Sequence, residues 1–376
     1  MTSIYLIRHA EAEGNLYRIA QGQYDSILTD RGWRQVRALE RRFADVHIDG
    51  VYSSDLYRAC ATASAIYKPK GLPLHRVRAL REICVGEWEQ RTWGDICRQD
   101  PARMENFRVH PERWYVPGAE TPRRVLDRAL AALREIAGAN DGRTVAVFSH
   151  GYVIRLVLTA LQGYALDQLA LTPVGDNTAV TLLEAEGDDL RVVFQSDNSH
   201  LQTPEFLAGE KIRRRANGLE PGLWFEPLRL PEQGDLLADF AAEGWADTGE
   251  GRTFEREKLL AGAAGRTTLV AHLEEAPVGI VQLGPDLGWI SLACVRRACR
   301  RRSFGVQLLG QAVQHTRRQG GDRLFIALAA GGAAERFFRD YGFAPAGTAE
   351  DGRVVFQKEI GYEPEFLTKC GESAPL

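Results

Sequence analysis

Residues 4 to 15 read IYLIRHAEAEGN, an apolar run that passes directly into an arginine and a histidine. Ile4, Tyr5, Leu6 and Ile7 are β-branched, aromatic or aliphatic, the composition of a short strand buried on both faces, as at the start of an α/β sheet. Arg8 and His9 then fall at the carboxyl end of that strand. This edge of an open α/β sheet is where ligands bind, because loops there face a crevice and helix N-termini aim N–H groups into it. On its own, the pair could equally be a solvated cation and a loop histidine.

Outward from this stretch, strand-like and helix-like segments alternate over residues 1 to about 200. LTDRGWRQVRALERRF begins with Thr29 as a helix cap and places Trp33, Val36, Leu39 and Phe43 on one face. VYSS reads as a second strand, DLYRACATASAIY and TPRRVLDRALAALREIA as helices, and TVAVF (144 to 148) as another buried strand. Such alternation predicts a largely parallel sheet covered by helices. Residues 205 to 220, rich in charge, Gly and Pro, read as a linker. From 221 to 360 the order changes to strand, helix, three strands, helix, strand and helix, an α+β pattern. Residues 361 to 376 read as a tail.

The bulk properties are those of a soluble globular chain: 376 residues, 44% hydrophobic, 26% charged, net charge −3. That length favours two domains. Neither nucleic acid nor a membrane is an expected partner, since the charge is near balance and no run approaches the roughly 18 apolar residues of a span. MTSIYLIRH lacks a signal-peptide pattern, so a cytoplasmic location is expected. Six scattered cysteines form no metal-ligand spacing and read as reduced, structural thiols.

Three further stretches raise the weight of His9. In SSDLYRACATA, Ser53, Ser54 and Asp55 form a polar helix start with Arg58 in the first turn, an arrangement suited to an anion. In FSHGYVIR a second strand ends in a histidine, His150, and Gly151 opens the next helix. In LREICVGEWEQ, Glu82 offers a carboxyl group of the kind a leaving alkoxide needs as proton donor. An α/β sheet brings all of these to one edge.

In order and spacing, LIRHAEAEGN, SSDLYRACATA, LREICVGEWEQ, PGAET and FSHGYVIR resemble the histidine phosphatase superfamily, the phosphoglycerate-mutase-like proteins, over residues 1 to 200, within a first domain expected to span residues 1 to 204. The resemblance implies a three-layer α/β fold and phosphoryl transfer through a phosphohistidine on His9. Arg8, Arg58 and His150 would neutralise the phosphate oxygens, and their charge should depress the pKa of His9. Glu82 would protonate the leaving oxygen and then take a proton from the water that cleaves the intermediate. Asn15, Gln21 and Gly151 are candidate phosphate or substrate contacts. No metal or other cofactor is implied for this half. Ala10 and Ala12 depart from the family's usual Gly and Thr, which leaves one fewer hydroxyl to meet phosphate. The expected substrate is a small phosphate ester, with Trp88, Trp93, Trp114 and Tyr115 as candidates to meet its organic half. Hydrolysis is favoured over a mutase-type transfer because the segment between Glu82 and Pro117 is modest in length. A metabolite-sensing protein without turnover is the alternative of another class.

The second constellation is WISLACVRRACRRRSFGVQLLGQAVQHTRRQG, a strand, a basic loop and a helix. It resembles the GNAT acyl-CoA N-acyltransferase superfamily over residues 221 to 360, with AERFFRDYGF as the late helix and its turn. The resemblance implies acetyl-CoA as cosubstrate, an amine acceptor, and a pyrophosphate site at Arg300, Arg301, Arg302, Ser303 and Gly305. Ser303 replaces a usual glycine, and pyrophosphate binding is expected on condition that its φ is negative. Phe338 stands where an acidic Tyr is common, Tyr341 is offset by three residues, and WISLACV carries no carboxylate. Acyl-CoA binding with slow or absent acetyl transfer is the expectation.

Overall fold

The computed structural model describes residues 1–210, 222–246 and 256–367. The opening run forms β1 (Thr2–Arg8), followed by α1 (Glu13–Tyr17), α2 (Asp30–Arg42), β2 (Gly50–Ser53), α3 (Tyr57–Lys70) and β3 (Leu74–Arg76). Then come α4 (Trp93–Gln99), α5 (Pro101–Val109), α6 (Pro122–Ala139), β4 (Thr144–Ser149), α7 (Gly151–Leu161), β5 (Val180–Glu186), β6 (Asp189–Asp197) and α8 (Pro204–Ala208). These strands form one sheet in the order β3-β2-β4-β1-β5-β6. The first four are parallel, and β5 and β6 close the far side in antiparallel fashion.

Two apolar layers clasp the sheet. Ile4, Leu6, Val145 and Val147 face α6 and α7, while Ile7, Val51, Ala146 and Phe148 face α2 and α3. The three-layer α/β arrangement expected from the sequence is therefore present. β1 and β4 run in register, Arg8 opposite Ser149, so His9 and His150 leave the sheet side by side at its carboxyl edge. The Thr29 side chain caps α2 by accepting from Gly32 N–H, as its place in the sequence suggested.

The second half comprises β7 (Trp224–Pro227), α9 (Gly234–Ala246), α10 (Arg256–Ala263), β8 (Thr268–Leu273), β9 (Ala276–Leu283), β10 (Ile290–Val295), α11 (Phe304–Arg318), β11 (Arg323–Leu328), α12 (Ala333–Asp340), β12 (Ala344–Thr348) and β13 (Val354–Glu359). It has two sheets, β10-β9-β8-β7 and β11-β13-β12, linked through an isolated bridge between Trp289 and Phe325. Apart from that bridge, β10 and β11 lie in separate sheets.

Two boundary expectations need correction. Within the expected linker, Phe206 of α8 is buried under Arg31 and Arg34, and Glu210 pairs with both arginines; residues 211–221 lie outside the described residues. The expected tail folds back as far as Leu367: Phe366 is buried in the first half's core against Trp33 and Tyr57. Residues 368–376 lie outside the described residues.

Candidate active site

The carboxyl edge of the first sheet opens into a cavity of about 680 Å³ lined by Arg8, His9, Gly14, Asn15, Gln21, Arg58, Glu82 and Gly151, among others. His9 is 3% exposed, and its Nδ1 lies 2.7 Å from the Ala10 carbonyl. A carbonyl can only accept, so Nδ1 carries the proton and Nε2 is left with its lone pair. Burial first, then the charges of Arg58 and Arg8, hold the His9 pKa well below its ordinary value. The sequence foresaw the cations; desolvation is the larger cause. His150 is fully buried 5.2 Å away, ring centre to ring centre, and its Nε2 meets Ser54 Oγ at 2.8 Å. Burial, followed by the charge of Arg58, depresses its pKa likewise.

The cations are held by carbonyl groups. Arg58, buried within α3, donates to the carbonyls of Tyr24 (3.0 Å) and Gly22 (2.8 Å), and Arg8 donates to that of Gly175 (2.5 Å). A Cβ added at Gly151 would lie 3.0 Å from Arg8 Nε, so a side chain there would crowd the guanidinium against the helix start. Nε of Arg8, Nε of Arg58 and Nδ1 of His150 are buried and have no hydrogen-bond partner among the described residues. Buried donors are ordinarily satisfied, so the two guanidinium N–H groups suit an anion's oxygens, and His150 Nδ1 joins them in the tautomer whose Nε2 accepts from Ser54.

Glu82 stands opposite, its carboxylate accepting from Ile83 N–H at 3.0 Å and Tyr152 N–H at 3.3 Å. Arg128, absent from the sequence reading, fixes the segment that carries it. Its guanidinium donates to the carbonyls of Ala79, Arg81 and Glu82 and to the carboxylate of Glu120 in the PGAET stretch. Asn15 and Gln21 line the cavity, but Asn15 Oδ1 accepts from Ala12 N–H and Gln21 Oε1 from Ser26, so their amide nitrogens are the groups available to a ligand.

Of the four aromatic candidates only Trp93 lines the cavity. Trp88 and Trp114 are buried against each other and Phe107, and Tyr115 lies exposed on the surface. Sequence reasoning missed Arg18, Phe107, Arg108, Tyr152, Arg155 and Asn177, all of which line the cavity. Asn177 donates to the His9 carbonyl at 3.0 Å. No local pattern marks these residues: Tyr152 and Arg155 of α7 and Phe107 and Arg108 of α5 read in sequence as ordinary helix residues, and Asn177 lies in a loop remote from the other site residues. Among the described residues no group of His, Cys, Asp or Glu could hold a metal ion.

The sequence model of the Histidine phosphatase superfamily (branch 1) matches residues 4–198, slightly more than half of the chain. The chain belongs to that superfamily. The chain is 31% identical over 211 residues to the metal-independent phosphoserine phosphatase of Arabidopsis thaliana, covering 55% of the chain and 86% of the relative. It is also 31% identical over 208 residues to the phosphoglycerate mutase-like protein 4 of the same plant, covering 54% and 89%. Among solved structures, YhfR of Bacillus stearothermophilus aligns with a TM-score of 0.52 and 32% identity, over 54% of this chain and all of that one. A second model, the GNAT acetyltransferase domain, matches residues 239–353.

In the GNAT domain the basic loop is less open than its sequence implies. Arg296 pairs with Glu243 of α9 at 3.1 Å, and Arg300 donates to the Val295 carbonyl while lying 4.0 Å from the same carboxylate. Arg302 stacks over Phe304, and Gly305 lies against the Phe337 ring. The condition on Ser303 is not met: its φ is +58°, and that of Arg301 is +59°. The loop thus takes the left-handed turn that glycine adopts freely, at a cost of about 1–2 kcal/mol for each non-glycine residue. Phe338 is buried in the core, and Tyr341 lines a cavity against Tyr17 and Asp30 of the first half.

Proposed function

We propose that the histidine phosphatase half hydrolyses a small phosphomonoester through a phosphohistidine at His9. The observation that carries this reading is the tautomer: Nδ1 is committed to the Ala10 carbonyl, and Nε2 belongs to a neutral imidazole beside two unsatisfied guanidinium N–H donors, those of Arg8 and Arg58. His9 Nε2 forms the P–N bond as the ester P–O bond breaks. Arg8, Arg58 and His150 stabilise the charge that spreads over the equatorial oxygens. Glu82 gives its proton to the leaving oxygen, then takes one from the water whose oxygen attacks phosphorus as the P–N bond breaks. His9 returns neutral, and phosphate leaves. Asn15, Gln21 and Gly151 border the phosphate, and the arginines at positions 18, 108 and 155 favour an organic half with anionic character. Phosphorylated hydroxy or amino acids, as the name of the plant phosphoserine phosphatase suggests, are the substrate class to screen first.

Rapid quenching with labelled substrate should trap acid-labile, base-stable phosphate on the parent chain and none on His9→Ala, and chelators should leave turnover unchanged. Label persisting in His9→Ala would exclude the mechanism.

For the GNAT half, the reading is acyl-CoA binding with little acetyl transfer; the condition set on Ser303 fails, and the reading rests instead on the left-handed turn there being the one the replaced glycine would make. Ser303 makes no side-chain cap to α11, so the N–H groups of its first turn are the groups that would meet a pyrophosphate. Bound acetyl-CoA would supply an activated acyl group, but Phe338 offers no proton to a departing thiolate and β10 no carboxylate to an incoming amine. Calorimetry should detect acetyl-CoA, and a thiol-release assay over a panel of amines should be slow. Fast release that persists in Tyr341→Phe would overturn the second claim.

A further inference from the structure

The wall of the phosphate pocket is built partly by the other half of the chain. Tyr17 and Ile19, on either side of the pocket-lining Arg18, are buried in the second core with Val278, Leu308 and Leu309. α11 passes directly behind them. A Cβ on Gly310 would fall 2.5 Å from the Tyr17 Cβ, so the helix approaches this closely only because residue 310 is glycine.

Further along α11, Arg317 donates from Nη1 to Glu13 Oε2 at 2.5 Å and from Nη2 to Glu13 Oε1 at 3.2 Å, a bidentate pair. The two side chains are only 11% and 5% exposed. Arg317 Nε also donates to the Ile360 carbonyl at 2.7 Å, and the guanidinium lies 5.0 Å from the Tyr362 ring centre. Tyr362 Oη donates to the Asp25 carbonyl at 2.8 Å. Asp25 in turn accepts Tyr57 N–H through Oδ1 at 2.8 Å, immediately before Arg58. The same loop supplies the Gly22 and Tyr24 carbonyls that hold the Arg58 guanidinium. Glu13 precedes Gly14 and Asn15 in the pocket wall.

We propose that Arg317 and Tyr362 are positioning residues for the phosphate pocket. Arg317 fixes the α1 wall through Glu13, and Tyr362 fixes the 22–25 loop that aims Arg58. The C-terminal half is then a working part of the phosphatase site, which gives a physical reason for one chain to carry both. This inference rests on reading the cavity as a phosphate site, so its test measures binding of inorganic phosphate separately from turnover.

Calorimetric affinity for inorganic phosphate, and kcat and KM for p-nitrophenyl phosphate, would be compared on the full chain in Arg317→Met, Arg317→Lys, Tyr362→Phe and Arg318→Ala. Arg317→Met should weaken phosphate binding and raise KM by on the order of 10-fold or more, since displacing a binding group by about 1 Å can cost about 100-fold. Arg317→Lys should recover part of the loss, because the charge beside Glu13 is retained. Tyr362→Phe, which keeps the ring and removes one hydroxyl, should weaken phosphate binding several-fold without loss of fold, and should be non-additive with Arg58→Lys. Arg318 is exposed on the same helix, and Arg318→Ala should match the parent. If Arg317→Met does not fold, Tyr362→Phe decides the matter. Unchanged phosphate affinity in folded Tyr362→Phe, or strict additivity with Arg58→Lys, would overturn the proposal. Absence of ester turnover in the parent would instead count against hydrolysis and leave the phosphate-affinity comparison to decide this inference.

Discussion

His9, His150 and His200 are buried neutral imidazoles whose pKa values lie below the ordinary value, that of His200 at about 4 because of burial and the nearby Arg42 charge. As pH falls through about 6.5 the unfolded chain takes up protons at these positions while the folded chain does not, so stability is lost on acidification until the folded-state values are reached. Each histidine contributes a slope of at most about 1.4 kcal/mol per pH unit. Urea unfolding from pH 7.5 to 5 should show this decline, and His200→Asn should make it shallower. A flat profile would mean that these imidazoles accept protons within the fold. At this scale Arg8, His9, Arg58, Glu82 and His150 were legible in the sequence because their chemistry is concentrated at strand ends and helix starts. Tyr152 and Arg155 were not, although they follow Gly151 directly, because in sequence they read as ordinary helix residues.

Among elements, the segment bearing Glu82 depends on α6. Arg128 gathers three carbonyls between residues 79 and 82 and ties them to Glu120, so the carboxylate is placed from behind by a helix that never touches phosphate. Arg128→Met should therefore slow alkyl phosphates on the order of 10- to 100-fold through misplacement of the acid, while aryl phosphates, whose leaving oxygen needs little protonation, lose less. Inorganic phosphate should bind as in the parent. Equal losses on both ester types would assign Arg128 to fold maintenance alone. Elements with strong periodicity, such as α2 and α6, were readable from sequence, as were the apolar strands β1 and β4. α10 and β12 were not: only Ala263 of α10 is buried and every residue of β12 is exposed, so neither carries an apolar pattern to detect.

At the scale of the molecule, the two halves exchange core residues. Tyr17 and Ile19 of the first half lie in the second core, and Phe366 of the second lies in the first, where Tyr57 and Trp33 pack on it. Residues 361 to 367 look like a polar tail in sequence because the partners that bury Phe366 are some three hundred positions away, beyond the reach of any local pattern. Contacts of this kind join the halves more firmly than a loose linker between independent domains would. The whole described chain should accordingly unfold in one calorimetric transition, and inorganic phosphate, on the proposed reading a ligand of the first half's cavity, should raise the temperature of that entire transition. Phe366→Ala should cost about 3–5 kcal/mol, the usual price of a large aromatic removed from a core, and should lower the same transition. Two separate transitions, with phosphate shifting one and Phe366→Ala leaving the phosphate-sensitive one in place, would show that the exchanged residues do not couple the halves.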